Sequence, residues 1–282
     1  PFIQECVLQQ QPFLDRGADA AVPFYRQRPA LPIPPDDTDI GMNRRLGFDP
    51  GLGPANDEMA LTVMPNGDLF LVFVSGVVEE GVFRPSAGLF ATRLRYGSKT
   101  WEMPERLLAV AAASPLLLRD GSRVLLYWLD PERGVIRRSV TEDNGVSWSD
   151  GAPVECADRD EAAPVSIGPT LFRLADGRYA MTVDLPGENS RIWLSGDGLS
   201  WKAAPGRTFG RQSAVAELEA GGLIALGGVE TEVEGTLPIG FSDDPGGRWT
   251  LRRSPFPALE RGQRPYLLRL ESGRLMLCGD YQ

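Results

Sequence analysis

The 282-residue chain carries 29 Lys+Arg against 38 Asp+Glu, a net charge of −9, which argues against nucleic acid, a partner that wants a basic surface. Its 42% hydrophobic content suffices for a real core, but no apolar run approaches the roughly 18 residues of a membrane-spanning helix. It holds no histidine, so a Ser-His-Asp triad, a His-ligated zinc and a His general base are excluded, and acid–base chemistry falls to carboxylates, Tyr, Lys or Cys.

The N-terminal segment, residues 1–56, is hard to read as sheet, because Pro23 to Pro35 holds five prolines and proline is a poor central-strand residue. Phe13, Phe24 and Tyr25 could stack on a sugar ring, although strand packing is the plainer use. Asp36-Asp37-Thr38-Asp39-Ile40-Gly41 faintly resembles a calcium loop, but it lacks the later bidentate Glu and reads as a solvated turn. The start at Pro1, without Met, suggests a mature or trimmed product, and a secreted or periplasmic location is expected.

From residue 57 onward one pattern recurs: apolar strand, tight turn with glycine, apolar strand. The five copies span residues 59–73, 115–127, 169–181, 213–226 and 265–277. Asn-Gly or Asp-Gly between apolar runs is the strongest short-range hairpin signal. The turn glycines 67, 121, 177, 222 and 273 lie roughly 45–56 residues apart, the spacing of propeller blades. The hairpins predict an A–B strand pair followed each time by a C–D pair.

A second pattern marks the C–D turns. Thr141-Glu-Asp143-Asn-Gly145-Val-Ser-Trp148 and Ser242-Asp-Asp244-Pro-Gly246-Gly-Arg-Trp249 read Ser/Thr-x-Asp-x-Gly-x-x-Trp, and Ser195-Gly-Asp197-Gly198-Leu-Ser-Trp201 is a shortened copy. Here Asp binds nearby amides, Gly takes the turn conformation and Trp packs on the neighbouring repeat. Trp101, in Tyr96-Gly-Ser-Lys-Thr-Trp101, reads as a decayed copy.

These turns resemble the Asp-box of the sialidase-like (BNR-repeat) β-propellers, predicted neuraminidase type. The resemblance implies an all-β, six-bladed propeller over residues 1–282, in which residues 1–56 could close the ring; five blades, or a truncated six, are the alternatives. In that connectivity the A-strand starts and B-strand ends meet at one mouth of the central channel, and the box aspartates 143, 197 and 244 lie at the other end in structural roles.

The mouth candidates are therefore Asp57 and Glu58, Arg211 with Gln212, and Arg264 from A-strand starts. B-strand ends add Glu79 and Glu80, Asp130, Asp184, Glu230, and Asp280 with Tyr281. Similarity to sialidases implies arginines that clasp a substrate carboxylate through the guanidinium fork. Arg264-Pro265 and Arg28-Pro29 resemble the family's Arg-x-Pro element, with Arg84 a further option for a third arginine. The resemblance also implies a Tyr nucleophile activated by a Glu, for which Tyr281 and Glu230 are the candidates, and a carboxylic acid/base such as Asp57 or Glu58. Asp184 and Asp280 are expected to contact substrate.

The expected function is hydrolysis of a terminal, acidic sugar from a glycan, without cofactor or metal. A non-catalytic glycan-binding propeller is the alternative; a polysaccharide lyase is disfavoured by the missing histidine, and a pure scaffold remains open. Cys6, Cys156 and Cys278 lack metal-ligand spacing and read as buried free thiols or one disulfide. Asp158-Arg-Asp160-Glu161 reads as an exposed charge run.

Overall fold

A computed structural model of the chain describes residues 52–53, 55–80, 82–98, 100–157, 163–187, 189–228, 231–245, 247–259, 264–270 and 272–278, with the backbone of two short strands nearer the N-terminus. Those two strands, β1 (Gln4–Glu5) and β2 (Arg26–Gln27), pair antiparallel. All other described regular structure is strand as well.

Four sheets of four or five strands follow in sequence order. The first contains β3 (Ala55–Val63), β4 (Leu69–Glu79), β5 (Val82–Leu94) and β6 (Glu105–Leu108). The second contains β7 (Ala113–Asp120), β8 (Arg123–Asp130), β9 (Val135–Thr141) and β10 (Ala152–Pro153). The third holds β12 (Ser166–Arg173), β13 (Tyr179–Asp184), β14 (Arg191–Ser195) and β15 (Ser200–Arg207), with β11 (Glu155–Cys156) added in parallel at its edge. The fourth is β16 (Ala214–Glu217), β17 (Leu223–Leu226), β18 (Thr236–Ser242) and β19 (Thr250–Pro257). A final hairpin joins β20 (Tyr266–Arg269) to β21 (Leu275–Cys278).

Each sheet is an up-and-down meander, and its first strand contacts the first strand of the next sheet: β3 with β7, β7 with β12, β12 with β16, β16 with β20. Sheets arrayed about their innermost strands make a β-propeller. Strand sequence explains the layering. The B strands β8 and β13 read as near-continuous apolar runs, with every residue of β13 buried, because neighbouring sheets cover both their faces. The largest core clusters accordingly mix sheets: Leu125, Tyr127 and Leu129 of the second pack with Met181, Val183 and Trp193 of the third.

The A–B turns are near copies of one another. In four of them a residue X donates its N–H to the carbonyl four residues on and accepts from the glycine at X+3; X is Met64, Leu174, Leu218 or Leu270. The glycines, 67, 177, 221 and 273, have φ between 77° and 90°, which an L side chain resists. The remaining hairpin, between Asp120 and Arg123, has a tighter turn.

All three Asp–Gly–Trp turns, and the Trp101 loop, lie between C and D strands as the sequence predicts. Asp197 Oδ1 accepts from the amides of Leu199 (2.8 Å) and Ser200 (2.7 Å). Asp143 Oδ1 accepts from Ser147 N at 2.9 Å. Each tryptophan packs on the preceding sheet: Trp148 on Phe70 with ring centroids 5.8 Å apart, Trp201 edge-on to Tyr127 at 5.8 Å, and Trp249 against the cluster that holds Leu174 and Ala180. Polar clamps add to this. Arg93 donates to Asn144 O (2.6 Å), and Tyr127 Oη donates to Gly198 O (2.8 Å).

Candidate functional site

Five A strands deliver one position each to the same place. Glu58 in β3, Ser114 in β7, Gly168 in β12, Gln212 just before β16 and Arg264 just before β20 all line a depression at the inner strand starts. Four of the five stand nine residues before the turn glycines 67, 177, 221 and 273; Ser114 stands closer to its Gly121 because that turn is shorter. The local backbone is distinctive. Register shifts interrupt β3 between Asp57 and Ala60, β7 between Ala113 and Leu116, and β12 between Ile167 and Leu171. Glu58, Ser114 and Gln212 have φ of 51°, 50° and 55°. Non-glycine residues hold that region only where the surroundings enforce it.

The turns with tryptophan lie at the far end of the strands. Asn144, in the first of them, accepts through Oδ1 from the amide of Asn66 in the β3–β4 turn (3.0 Å), whereas Glu58 is at the opposite end of β3.

Two of the predicted residues meet. Arg264 Nη2 donates to Glu58 Oε1 at 3.2 Å, with side-chain exposures of 29% and 15%. Glu58 Oε2 accepts from the amide of Ser114 at 2.6 Å, so the carboxylate joins the first, second and last described hairpins. Tyr266 lines the same depression. Burial raises its phenol pKa, Arg264 opposes that shift, and Asp57 and Glu58 add to it. Tyr266 is nonetheless 37% exposed, so its hydroxyl is open to a ligand. The cavity volume is about 20 Å³, room for about one water molecule, so a sugar ring would lie over this floor.

The other predicted residues separate. Asp57 is exposed, and its Oδ1 accepts from Glu58 N at 2.7 Å; it braces the kink from outside. Arg211 is exposed and its neighbour Gln212 takes the lining position. Asp184 is fully buried. Its oxygens accept from Ser166 Oγ (2.6 Å), Ser190 Oγ (2.5 Å), Gln212 Nε2 (2.6 Å) and Gln212 N (3.2 Å). Asp130 is buried beneath Arg133 and Arg137 at 3.2 and 3.3 Å, whose charges and hydrogen bonds overcome the burial penalty and lower its pKa. Glu79 forms an exposed pair with Arg84 at 3.0 Å. Arg28, Glu230, Asp280 and Tyr281 lie outside the described residues, as do Phe13, Phe24, Tyr25, residues 36–41 and residues 158–161. Cys156 is half-buried and Cys278 exposed, rather than buried. A larger cavity of about 320 Å³ between the second and third sheets is lined by Val135, Ile136, Val154, Cys156 and Trp193; it brings together none of the predicted site residues.

Ser114, Gly168 and Tyr266 were not apparent as site residues in the sequence, and Gln212 stood only as the neighbour of Arg211. For Gly168 the shared distance to the turn glycine was the available signal, and for Gln212 it becomes one when Gly221 is taken as the turn glycine; Ser114 and Tyr266 stand at other distances.

No protein-family model matches the chain, and no curated protein matches it. Solved structures do. A protein of unknown function from Dyadobacter fermentans superposes with a TM-score of 0.61 at 17% identity, over 80% of this chain and 75% of that one. The Hadza microbial sialidase Hz136 gives 0.58 at 16% identity, over 82% of this chain and 54% of the sialidase, so the chain spans about half of that enzyme. Zg3597, a family 117 glycoside hydrolase from Zobellia galactanivorans, gives 0.53 at 12% identity, over 76% and 73%. The likeness is one of fold. At these identities it carries no residue roles, and the site stands on its own geometry.

Proposed function

We propose that the chain is a propeller glycoside hydrolase acting at the mouth, on a terminal sugar that carries a carboxylate. The observation that carries this reading is the pairing of Arg264 with Glu58, beside Tyr266 in the same depression. The sialidase-like resemblance of the Asp–Gly–Trp turns and the glycoside hydrolases among the structural neighbours support it.

Arg264 offers a planar fork of donors that matches a sugar carboxylate. Its present partner is Glu58, so an incoming carboxylate competes with Glu58 for the guanidinium. Displacement leaves Glu58 held by the Ser114 amide and directed at the sugar, where it serves as acid or base toward the glycosidic bond. Tyr266 donates its hydroxyl to the sugar. Water, or Tyr281, supplies the nucleophile.

One observation favours a glycan-binding module instead. Glu58 is the only carboxylate lining the mouth among the described residues, and hydrolysis ordinarily uses two.

A panel of fluorogenic glycosides led by a sialoside separates the readings. Hydrolysis by the wild type is expected, with KM raised about tenfold or more in Arg264→Ala and kcat lowered about 10²-fold or more in Glu58→Gln. Glycan binding without turnover on any substrate would make the protein a binding module. An unsaturated product absorbing in the ultraviolet would make it a lyase.

A further inference from the structure

Gln212 is 7% exposed, lines the mouth, and holds its amide in a fixed orientation. Its Nε2 lies 2.6 Å from Ser166 Oγ and 2.6 Å from Asp184 Oδ2. Asp184, as a carboxylate, only accepts. Ser166 Oγ spends its proton on Asp184 Oδ2 at 2.6 Å, which leaves it an acceptor toward Gln212. Both neighbours of that end of the amide thus require a donor, and a flipped amide would set its oxygen against two acceptors. The backbone is pinned too, since Gln212 N donates to both Asp184 oxygens at 3.2 Å while φ is held at 55°.

The consequence falls on the other end of the amide. Gln212 Oε1 is buried and has no hydrogen-bond partner among the described residues. A buried acceptor left unpaired costs roughly 1–3 kcal/mol, and buried polar atoms in folded proteins are nearly always satisfied. Gln212 lines the mouth cavity, which measures about 20 Å³, enough for one oxygen atom and its hydrogens. The remaining polar lining is Glu58, Ser114, Arg264 and Tyr266.

We propose that Gln212 Oε1 is the acceptor for one hydroxyl at the mouth: a water molecule in the empty protein and a sugar hydroxyl in the complex. Asp184 and Ser166 are positioning residues that present this oxygen and keep the amide nitrogen away from the ligand. The site thereby selects a donor at that point of the sugar and rejects the deoxy analogue, because loss of the hydroxyl leaves the acceptor unpaired again. The sugar half of the proposal rests on the hydrolase or glycan-binding reading of the mouth; the hydroxyl-donor half does not.

Crystals of the wild-type chain, unliganded and soaked with N-acetylneuraminic acid, test both. In the unliganded crystal an ordered water is expected at about 2.6–3.1 Å from Gln212 Oε1, with Nε2 toward Asp184. A protein donor against Oε1, or an amide turned with Nε2 toward the mouth, would overturn the proposal. In the soaked crystal a sugar hydroxyl oxygen is expected in place of the water. A bound sugar that leaves the water untouched, with no hydroxyl reaching it or Oε1, would refute selection by Gln212. Absence of sugar together with the ordered water would sink the acidic-sugar reading and sustain the hydroxyl acceptor. In Gln212→Met, of similar length but without the acceptor, the water is expected to vanish and affinity for the same sugar to fall about tenfold. Unchanged affinity in a variant with wild-type melting behaviour counts against the proposal.

Discussion

Removing the Asp184 carboxylate separates the role expected from the sequence, contact with substrate, from the one its hydrogen bonds indicate, support of the site. Asp184 is completely buried and takes hydrogen bonds from Ser166 Oγ, Ser190 Oγ and both the backbone and side-chain nitrogens of Gln212. In Asp184→Ala, Gln212 Nε2 keeps Ser166 as a partner, and the Ser166 hydroxyl can rotate. The Gln212 amide and the Ser190 hydroxyl proton are orphaned in a buried setting. At about 1–3 kcal/mol each, with a water recovering part of the loss, the expected destabilisation is about 3 kcal/mol. For an m-value of about 3 kcal/mol/M, the urea midpoint should fall by about 1 M. Asp184→Asn keeps the shape and two of the acceptor contacts, so its midpoint should fall by less. Equilibrium unfolding followed by tryptophan fluorescence reads both. A midpoint within about 0.2 M of wild type in Asp184→Ala, with glycan binding abolished, would refute the bracing role and return Asp184 to direct contact with substrate.

Trp201 is 2% exposed and packs edge-on against Tyr127 of the preceding sheet, so Trp201→Ala should cost about 3–5 kcal/mol in the same unfolding assay, while Trp148→Ala, at a half-buried position, should cost less. Acid should loosen the Asp–Gly–Trp turns. The Asp143 carboxylate is held at about 2 by the side chain and backbone amide of Ser147, and that of Asp197 at about 2 by the amides of Ser200 and Leu199, against an ordinary 3.8. Between those values the unfolded chain binds more protons than the folded one. Their contribution is therefore complete above about pH 4 and is lost as pH falls toward 2. Urea midpoints measured from pH 5 to 2 should decline over that window, and the decline should be shallower in Asp197→Asn.

The fold was legible because it repeats. Each hairpin carries its own turn chemistry, and a glycine with positive φ between two apolar runs has few other uses; four of the five A–B turns share one hydrogen-bond pattern. The tryptophan turns were legible for the same reason, since Asp, Gly and Trp each meet a local need that recurs in every copy. Their distance from the mouth followed from strand direction alone. Asp130 and Asp184 were placed at strand ends, as the pattern predicted, but the sequence did not reveal that Arg137 on the adjacent strand and Gln212 from the next sheet would occupy their oxygens.

The mouth was harder to read because its chemistry requires the repeats to differ. The equivalent position holds Glu58, Ser114, Gly168, Gln212 and Arg264, an acid, a hydroxyl, no side chain, an amide and a base. A search for recurring residues passes over such a set, and a search for charges finds Glu58 and Arg264 but also Arg211 and Asp57, which stand one residue out of register. Strand periodicity makes that single step decisive, because adjacent residues point to opposite faces. The kink at Gln212 and Glu58 sharpens the choice, since a residue at φ near 50° turns its side chain away from the path its neighbours follow. Position relative to the turn glycine therefore carries information that residue type does not. It selects Glu58 over Asp57 and brings a glycine, Gly168, into the ring, and once the turn hydrogen bonds identify Gly221 as the equivalent glycine it selects Gln212 over Arg211. That glycine is no accident of drift, because a Cβ there would collide with the side chain of Thr182 in β13. The ring is thus one backbone position used five times, with the side chain varied where the mouth needs variety and removed where the core leaves no space.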